Sequence, residues 1–584
     1  MTPRRLQHAL SGAVLLLLPL LVYLPLRSAG FIWDDDAYVS QNPQLRSLAG
    51  LLRIWVDPRA LPQYYPLVHT TFWAEFQLWG LSATGYHATN VLLHGANAVL
   101  LWRVLVRLRV RGAYLAAALF AVHPVMVESV AWITERKNVL SLALALGALA
   151  SYLRFASREI DGAGADTVSV RWRFYSLSLL LYVGALLSKT VVCSLPAVIG
   201  VLLWWKRGQI RGRDAMRLTP FFVLGVAAGL STIWLEKHHV GAAGAEWSLA
   251  PLGRVLLAGR ALWFYVGKLV WPHPLIFFYP RWQIDASQPL QWLYPLGALA
   301  VGALLWRARD RIGRGPLAAL LIFAGTMIPA LGFFDVYPFR YSFVADHFQY
   351  HASPALLALF AAACTTGAAR LGTRAKIPSR IAAIALLAVL GTLSFRQAHV
   401  YRDLEVLYRD TIAKNPAAWN AYINLANHLS GTGRNGEALE LARDAVRLAP
   451  TIADAHNTLG AVLFLSAPAS GAAGPAQLAE AIDAFARAIA LDPGHVDALY
   501  NGAVALTVAG RHEEASRFYA QIIATQPDAV DAMIGLGTSL AMQGRLDEAE
   551  PLLRDALRRA PDRADAQQAL AGIVARRREA MGTQ

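Results

Sequence analysis

Three consecutive carboxylates follow directly on the first apolar segment of the chain. Asp34, Asp35 and Asp36 lie in the stretch FIWDDDAYVSQNP at 31–43. Like charges crowded at the edge of a low-dielectric region raise one another's pKa, so such a group can act as a general base or bind a divalent cation. The alternative is a solvated cap at the end of a membrane helix. The spacing alone favours neither interpretation.

A second group of polar residues shares one face of a later apolar segment. His87, Asn90 and His94 lie at positions i, i+3 and i+7 of YHATNVLLHG at 86–95, which places them on one side of a helix. Polar groups at the start of a spanning helix usually face the bundle interior or a water-filled cavity. The alternative is a set of interfacial histidines bonded to carbonyls. For His94, the deeper of the two histidines, we favour a position that lines a site.

The segment HPVMVESVAWITERKN at 123–138 has an amphipathic pattern. His123 ends one apolar segment, Glu128 and Glu135 lie seven residues apart, and Arg136 extends their face. This pattern predicts a short helix on the outer membrane surface. Its polar face would either roof a substrate cavity or carry solvated charges on an anchor helix.

The densest titratable cluster before the last third of the chain is the loop FFDVYPFRYSFVADHFQYH at 333–351. Arginine and histidine together suit a phosphate, and the aromatic residues suit a sugar or a prenyl chain. Lys189, in LLSKTVV between two apolar segments, would add positive charge or extend to lipid headgroups. The candidate substrate-binding residues of the loop are Arg340, Asp346, His347 and Tyr350.

These residues are carried by a chain with the composition of a membrane protein. Of its 584 residues 56 % are hydrophobic and 16 % are charged, whereas soluble domains carry about 25 % charged residues. A soluble enzyme and a disordered chain are therefore excluded. Twelve apolar segments begin near residues 9, 88, 112, 138, 174, 190, 218, 253, 290, 316, 351 and 380.

Basic connectors predict the orientation of these segments. The formal net charge is +20 before residue 398 and −5 from there on, and the excess lies in arginine-rich connectors such as 103–111 and 206–217. The positive-inside rule places such connectors in the cytoplasm. The segment at 253–271 carries Arg254, Arg260 and Lys268, so we predict an interfacial or re-entrant helix there. About 11 crossings remain, with the N-terminus inside and the C-terminus outside.

The last third has a repeat with a period of 34 residues. Prolines 450, 493, 527 and 561 each follow an alanine by 12 residues, and the longer interval contains the insertion SAPASGAAG at 466–474. This is the helix-turn-helix period of tetratricopeptide repeats. We predict a half repeat and about four units over 398–584, after a membrane domain over 1–397. Repeat solenoids have concave surfaces that bind extended peptides.

Several local motifs together resemble one family. FIWDDDAYVSQNP, YYPLVHTTF at 64–72, YHATNVLLH, HPVMVESVAW and ADHFQYHAS at 345–353 occur in the order typical of the transmembrane-and-tetratricopeptide-repeat O-mannosyltransferases, within the GT-C class of lipid-linked glycosyltransferases. Two motifs depart from the family pattern. SKT at 188–190 stands where Lys-Glu is expected, and Asp346–His347 replaces the Glu-Arg of animal relatives, so phosphate recognition would fall to Arg340 or His347.

The resemblance implies an all-α fold, in which a polytopic GT-C helix bundle is followed by a tetratricopeptide-repeat solenoid. It implies an inverting enzyme that moves a sugar from a polyprenyl phosphate to a Ser or Thr hydroxyl of a protein bound by the repeats. Asp34 or Asp35 would be the general base, and a divalent cation at this pair stays open. The Ala- and Arg-rich composition is typical of bacteria, which would place the enzyme in the inner membrane and the repeats in the periplasm.

Two rival functions remain open from the sequence. An oligosaccharide ligase of the O-antigen ligase type would use a late Arg and His, and would not need carboxylates after the first helix. A non-catalytic scaffold that anchors repeats at the membrane would not need the polar residues of the outer loops. The sequence does not name the sugar, the prenol, the acceptor or the oligomeric state.

Overall fold

The computed structural model describes residues 3–157, 168–240, 249–467 and 473–582. Within these ranges every regular element is a helix and no strand occurs, which confirms the predicted all-α class. The chain divides into two compact units, Met1–Asp410 and Thr411–Gln584. The assignment of the first unit as a GT-C domain, with a boundary at residue 397, stays a prediction.

The first unit is built from helices joined by short turns, and each predicted apolar segment is helical over most of its length. The last of these helices, α16, contains the boundary between the two units. Their bounds are α1 Pro3–Val22, α2 Leu48–Val56, α3 Pro66–Trp79, α4 Ala83–Arg107, α5 Ala113–Val122, α6 Val127–Ala131, α7 Arg136–Phe155, α8 Val168–Leu186, α9 Leu195–Arg207, α10 Gly212–Leu235, α11 Pro251–Val270, α12 Leu293–Ile312, α13 Gly315–Met327, α14 Ser353–Arg370, α15 Lys376–Val400 and α16 Leu404–Lys414.

Six helices of the described ranges are long and apolar enough to cross a membrane, and the bent pair Ala113–Val122 and Pro124–Ala131 makes a seventh if it counts as one span. Leu6–Val22 and Gly315–Ala330 are shorter apolar helices. The total of about 11 crossings stays a prediction. In the span Ile133–Phe155, 67 % of an apolar 18-residue stretch is buried, so this helix lies inside the bundle, where it can hold polar residues away from lipid.

The prediction of one amphipathic surface helix over 123–138 is wrong. The segment forms a 3-10 turn at Pro124–Met126, the short helix α6, and a second 3-10 turn at Ile133–Glu135, and all of these residues are buried. Their charged side chains do not need solvent because each has polar partners inside the protein, as described below. The axis bends by 58° after α5, and this bend brings the segment into the interior.

The second unit is a stack of antiparallel helix pairs, as predicted from the proline period. Glycines stand where two helices of a pair cross: a Cβ added at Gly460 would lie 2.7 Å from the ring of Phe485, and one at Gly537 would lie 2.8 Å from Leu553. Residues 468–472 of the predicted insertion lie outside the described residues. The bounds are α17 Trp419–Gly431, α18 Asn435–Leu448, α19 Ala453–Ser466, α20 Ala473–Leu491, α21 Val496–Val508, α22 His512–Thr525, α23 Val530–Met542, α24 Leu546–Arg559 and α25 Ala564–Gly582.

Candidate functional site

A cavity of about 560 Å³ lies in the first unit, between α7, α10 and the loops that precede α9 and α14. We name it the lysine cavity, after Lys137 and Lys189 in its wall. One part of the wall is polar and another is apolar, so the cavity suits an amphiphile. The polar part includes Gln63, Glu135, Lys137, Lys189, Glu236 and His347, and the apolar part includes Val191, Phe222, Val226, Leu230, Ile233 and Ile328.

Glu135 links the two lysines at the polar end. Its two carboxylate oxygens lie 3.0 Å from Lys137 Nζ and 3.2 Å from Lys189 Nζ. The Asn138 side-chain amide donates to the same carboxylate. Glu135 is fully buried, whereas the lysine side chains keep 10 % and 16 % of their surface exposed. The two lysine side chains therefore present a small part of their surface to an anion that enters the cavity.

Burial changes the acidity of Lys189. It lowers the pKa of the ammonium to about 8, although the nearby carboxylate of Glu135 opposes that change. The group still carries its charge near neutral pH and loses it in mildly alkaline solution. The lysine predicted from LLSKTVV is therefore held at the cavity rather than extended to lipid headgroups.

His347 is fixed beside the lysines by Glu128. Its Nδ1 lies 3.1 Å from Glu128 Oε1, and its backbone N–H donates to Glu128 Oε2 at 2.8 Å. The carbonyl of His347 accepts from Asn138 at 3.1 Å, and Nε2 lies 3.9 Å from Glu135. Both members of the Glu128–His347 pair belong to the predicted set, and His347 is the member that lines the cavity.

The two carboxylates predicted as candidate bases differ in their surroundings. Asp35 is fully buried, and its oxygens accept from Ile32 N at 2.9 Å, Thr134 N at 2.8 Å and Thr134 Oγ1 at 2.6 Å. These bonds join the loop between α1 and α2 to the turn before α7. Asp35 therefore has the surroundings of a structural brace.

Asp34 is partly exposed. It does not line the lysine cavity, but its charge interacts with those of Lys137 and Glu135. Burial raises the pKa of its carboxyl to about 6, Lys137 acts against that change, and Asp36 and Glu135 reinforce it. Burial raises the pKa of the Asp35 carboxyl to about 7. A general base works best when its pKa lies near the operating pH, and of the two carboxylates only that of Asp34 is partly exposed.

The backbone before Asp34 has an uncommon conformation. Trp33 has a φ of 46°, in the left-handed region that costs a bulky residue about 1–3 kcal/mol. Its ring packs edge-on against Phe277 at 5.7 Å and Phe278 at 4.9 Å, and it also contacts Tyr341. These aromatic contacts hold the strained turn and thereby orient the aspartate that follows it.

Arg136, Asn90 and His87 form a buried brace and do not line the cavity. The guanidinium of Arg136 lies 2.9 Å from Glu75 and is fully buried, and its Nε donates to the Asn90 amide oxygen. The side-chain amide of Asn90 donates in turn to the carbonyls of Val130, Trp132 and Ile133, between α6 and α7. His87 Nε2 lies 3.3 Å from the carbonyl oxygen of Gly30. The substrate-binding roles predicted for these three residues stay predictions.

The remaining predicted residues also lie away from the lysine cavity. His94 Nδ1 lies 2.8 Å from the hydroxyl of Tyr350, and both side chains are buried. His123 Nε2 lies 3.0 Å from the carbonyl oxygen of Leu269. Asp346 accepts from the hydroxyl of Tyr279 at 3.0 Å. Arg340 is half-buried in a 3-10 turn of the late loop. The roles predicted for all of these residues stay predictions.

Sequence reasoning missed most of the residues that line the cavity, including three at its polar end. Lys137, Gln63 and Glu236 stand in different parts of the chain and share no spacing pattern. One sequence feature pointed to Lys137, because it directly follows the candidate residue Arg136 in ERKN. Nothing in the sequence marks the other two. Among the described residues, no group of three or more His, Cys, Asp or Glu is arranged to hold a metal ion.

Comparisons with known proteins identify the repeats and several relatives of the chain. Family models described as tetratricopeptide repeat match residues 405–465, 472–535 and 509–573. The chain is 26 % identical over 487 residues to "Protein O-mannosyl-transferase TMTC1" of Homo sapiens, which covers 74 % of this chain and 54 % of that protein. It is 31 % identical over 199 residues to "Protein O-mannosyl-transferase Tmtc1" of Drosophila melanogaster, which covers 32 % of this chain and 21 % of the relative.

These matches confirm the resemblance inferred from the motifs. The chain spans about half the length of the human relative that it matches. A crystal structure of YrrB, described as a TPR protein with an unusual peptide-binding site, matches 29 % of this chain and 84 % of its own at 23 % identity and a TM-score of 0.26.

Proposed function

We propose that the chain is a membrane glycosyltransferase that moves a sugar from a polyprenyl phosphate to a Ser or Thr hydroxyl of a protein. The observation that carries the proposal is the lysine cavity, in which two ammonium groups and an imidazole stand at one end of an apolar wall. A polyprenyl phosphate has the same division between an anionic head and a hydrocarbon tail. The similarity to proteins named O-mannosyl-transferases supports the same reaction.

The reaction is a single displacement at the anomeric carbon. The acceptor hydroxyl oxygen attacks that carbon while Asp34 takes the hydroxyl proton, and the bond from the carbon to the phosphate oxygen breaks. The electron pair of this bond leaves with the polyprenyl phosphate. Lys137, Lys189 and His347 stabilise the charge that develops there. Attack from the face opposite the leaving group inverts the anomeric centre, as in other GT-C enzymes.

In this proposal the apolar wall binds the prenyl tail of the donor. Phe222, Val226, Leu230 and Ile233 belong to one helix, α10, and line the cavity on one side. Prenyl groups that pack against these side chains are removed from water, which stabilises the bound donor by about 0.8 kcal/mol for each buried CH₂ group. This binding energy is independent of the sugar, so it holds the donor while the phosphate and the sugar occupy the polar end.

The repeats supply the acceptor in this proposal. Stacked helix pairs present a continuous concave surface to an extended peptide, and a binding site on the same chain as a catalytic site raises the effective concentration of the acceptor. The basic connectors favour a topology with the repeats outside the cytoplasm. In a bacterial cell this arrangement corresponds to the inner membrane, with the repeats in the periplasm.

Transfer measured by intact-mass spectrometry tests the function. Purified protein is mixed with polyprenyl-phosphate mannose and an extract of candidate acceptors, and the wild type is compared with Lys189→Met. Lys376→Met is the matched control, because that lysine is exposed on the predicted cytoplasmic face. We expect hexose transfer by the wild type and the control, and a large loss in Lys189→Met. A ligase would transfer preassembled oligosaccharides instead, and a scaffold would transfer nothing.

A further inference from the structure

The polar part of the lysine cavity contains two residues that the proposed chemistry does not use. Glu236 stands at the end of α10, and Gln63 stands in the loop before α3. Both line the cavity, although 173 residues separate them. Neither binds the lysines through a hydrogen bond or ion pair in the structure, and neither is a base for the acceptor in the mechanism above. Glu236 and Gln63 must therefore have a different role.

Glu236 is held in place by one hydrogen bond to each oxygen. Gln63 Nε2 donates to Oε1 at 2.7 Å, and the backbone N–H of Tyr337 donates to Oε2 at 3.2 Å. The hydroxyl of Tyr38 donates to Gln63 Oε1 at 3.0 Å. This chain of bonds fixes the amide with its nitrogen toward the carboxylate. Because only 5 % of Glu236 is exposed, the carboxylate is rigid.

The carboxylate keeps the capacity to accept further hydrogen bonds. An ionised carboxyl group offers about four lone-pair positions, and two of those of Glu236 are used by Gln63 and Tyr337. Two acceptor positions thus remain on a fixed group at the wall of a cavity. Groups that would satisfy them are neutral hydroxyl donors, and a sugar carries several of these next to one another.

We propose that Glu236, oriented by Gln63, is the residue that recognises the hydroxyls of the donor sugar, and that it selects neutral sugars over acidic ones. The proposal rests on the proposed function, because it takes the head of the donor to occupy the lysine cavity. Glu135 and Asp335 line the same cavity, but each is paired with a basic side chain. A uronic acid would bring a second carboxylate beside that of Glu236, which is bonded to neutral donors, in a poorly solvated site where like charges repel strongly.

Binding of three lipids to the full-length protein in detergent tests the proposal. The probes are a bare polyprenyl phosphate, the same lipid carrying mannose, and the same lipid carrying glucuronic acid. The ratio of the first two dissociation constants isolates the contribution of the sugar. Hydrogen bonds to a charged acceptor are worth about 10- to 100-fold in affinity. In Glu236→Gln we therefore expect the mannose lipid to bind about 10- to 100-fold more weakly, with the bare lipid unchanged.

The affinity for the lipid that carries glucuronic acid should change in the opposite direction in this variant. Removal of the Glu236 charge lowers the repulsion, so the preference for mannose over glucuronic acid should shrink in Glu236→Gln. Asp57→Asn is the matched control, because this aspartate is exposed in the same outer loop as Gln63. We expect this control to bind all three lipids as the wild type does.

Two results would overturn the inference. One is an unchanged mannose contribution in Glu236→Gln, and the other is an equal loss of affinity for the bare lipid, which would assign Glu236 to the phosphate or to the fold. If Glu236→Gln is not recovered folded, Gln63→Leu removes the orienting donor, and the same selective loss is expected. A wild type that binds none of the three lipids would instead overturn the proposed function, and this inference with it.

Discussion

Replacement of Asp34 and of Asp35 by asparagine should separate catalysis from stability. From the sequence alone, each substitution is expected to abolish most of the transfer and to leave the thermal stability near that of the wild type. The structure changes this expectation, because Asp35 accepts three hydrogen bonds inside the protein and Asp34 is partly exposed near the lysines. The two side chains are neighbours with the same chemistry, so each variant controls for the other.

Asp34→Asn should lose activity and keep its fold. General-base catalysis is worth about 10²–10⁴ in rate, and the amide cannot take the proton. Burial raises the pKa of Asp34 to about 6, which means that the surroundings disfavour its charged form. A neutral amide of the same size should therefore leave the melting temperature at or above that of the wild type.

Asp35→Asn should be less stable, because the loss of a hydrogen bond outweighs the relief of a buried charge whose pKa is also raised, to about 7. The amide NH₂ group replaces one acceptor oxygen, so at least one of the N–H or O–H groups of Ile32 and Thr134 loses its acceptor. A buried donor without a partner costs about 1–3 kcal/mol. The melting temperature should fall, and transfer should fall only as far as the folded fraction and the position of Asp34 are disturbed.

The assay measures initial transfer rates at saturating donor together with thermal unfolding in detergent. We expect a slow, stable Asp34→Asn protein and an active, less stable Asp35→Asn protein. A wild-type rate in Asp34→Asn would refute its assignment as the base. A stable Asp35→Asn protein without activity would show that we have exchanged the roles of the two aspartates.

Three further predictions concern pH, the repeats and the buried ion pair. The transfer rate should rise with pH near 6, where Asp34 loses its proton, and fall above about 8, where Lys189 loses its charge. A rate that does not rise near pH 6 would exclude Asp34 as the general base. Gly460→Val should place a side chain against the neighbouring helix and destabilise the repeats by about 1–3 kcal/mol. The KM for protein acceptors should then rise, while the KM for the donor stays constant. Arg136→Met leaves Glu75 buried without its partner and should cost about 3–5 kcal/mol, which a large fall in folded yield would reveal.

The helices and repeats were predictable because their signals are local. Apolar segments of sufficient length marked the membrane helices, and the 34-residue proline period marked the solenoid. The close approach of Gly460 to Phe485 is also implied by that period, since small residues recur where paired helices cross. Local chemistry thus determined most of the secondary structure.

The roles of polar residues were not predictable in the same way. Arg136 carries the charge that an exposed helix face would carry, but its partner Glu75 lies 61 residues earlier. Glu236 and Gln63 are separated by 173 residues. Whether a charge lines a cavity or forms a buried pair depends on such distant partners, and helical periodicity contains no information about them.

Photo-cross-linking tests most directly whether the lysine cavity holds a lipid phosphate. The probe is a polyprenyl-phosphate mannose with a photoreactive group in its first prenyl unit, and labelled peptides are mapped by mass spectrometry. We predict labels on Val226, Leu230, Ile233 and Ile328, with a large loss of label in Lys189→Met. Labels confined to the exposed span Pro289–Ile312, or labels at the cavity that do not change in Lys189→Met, would contradict the account.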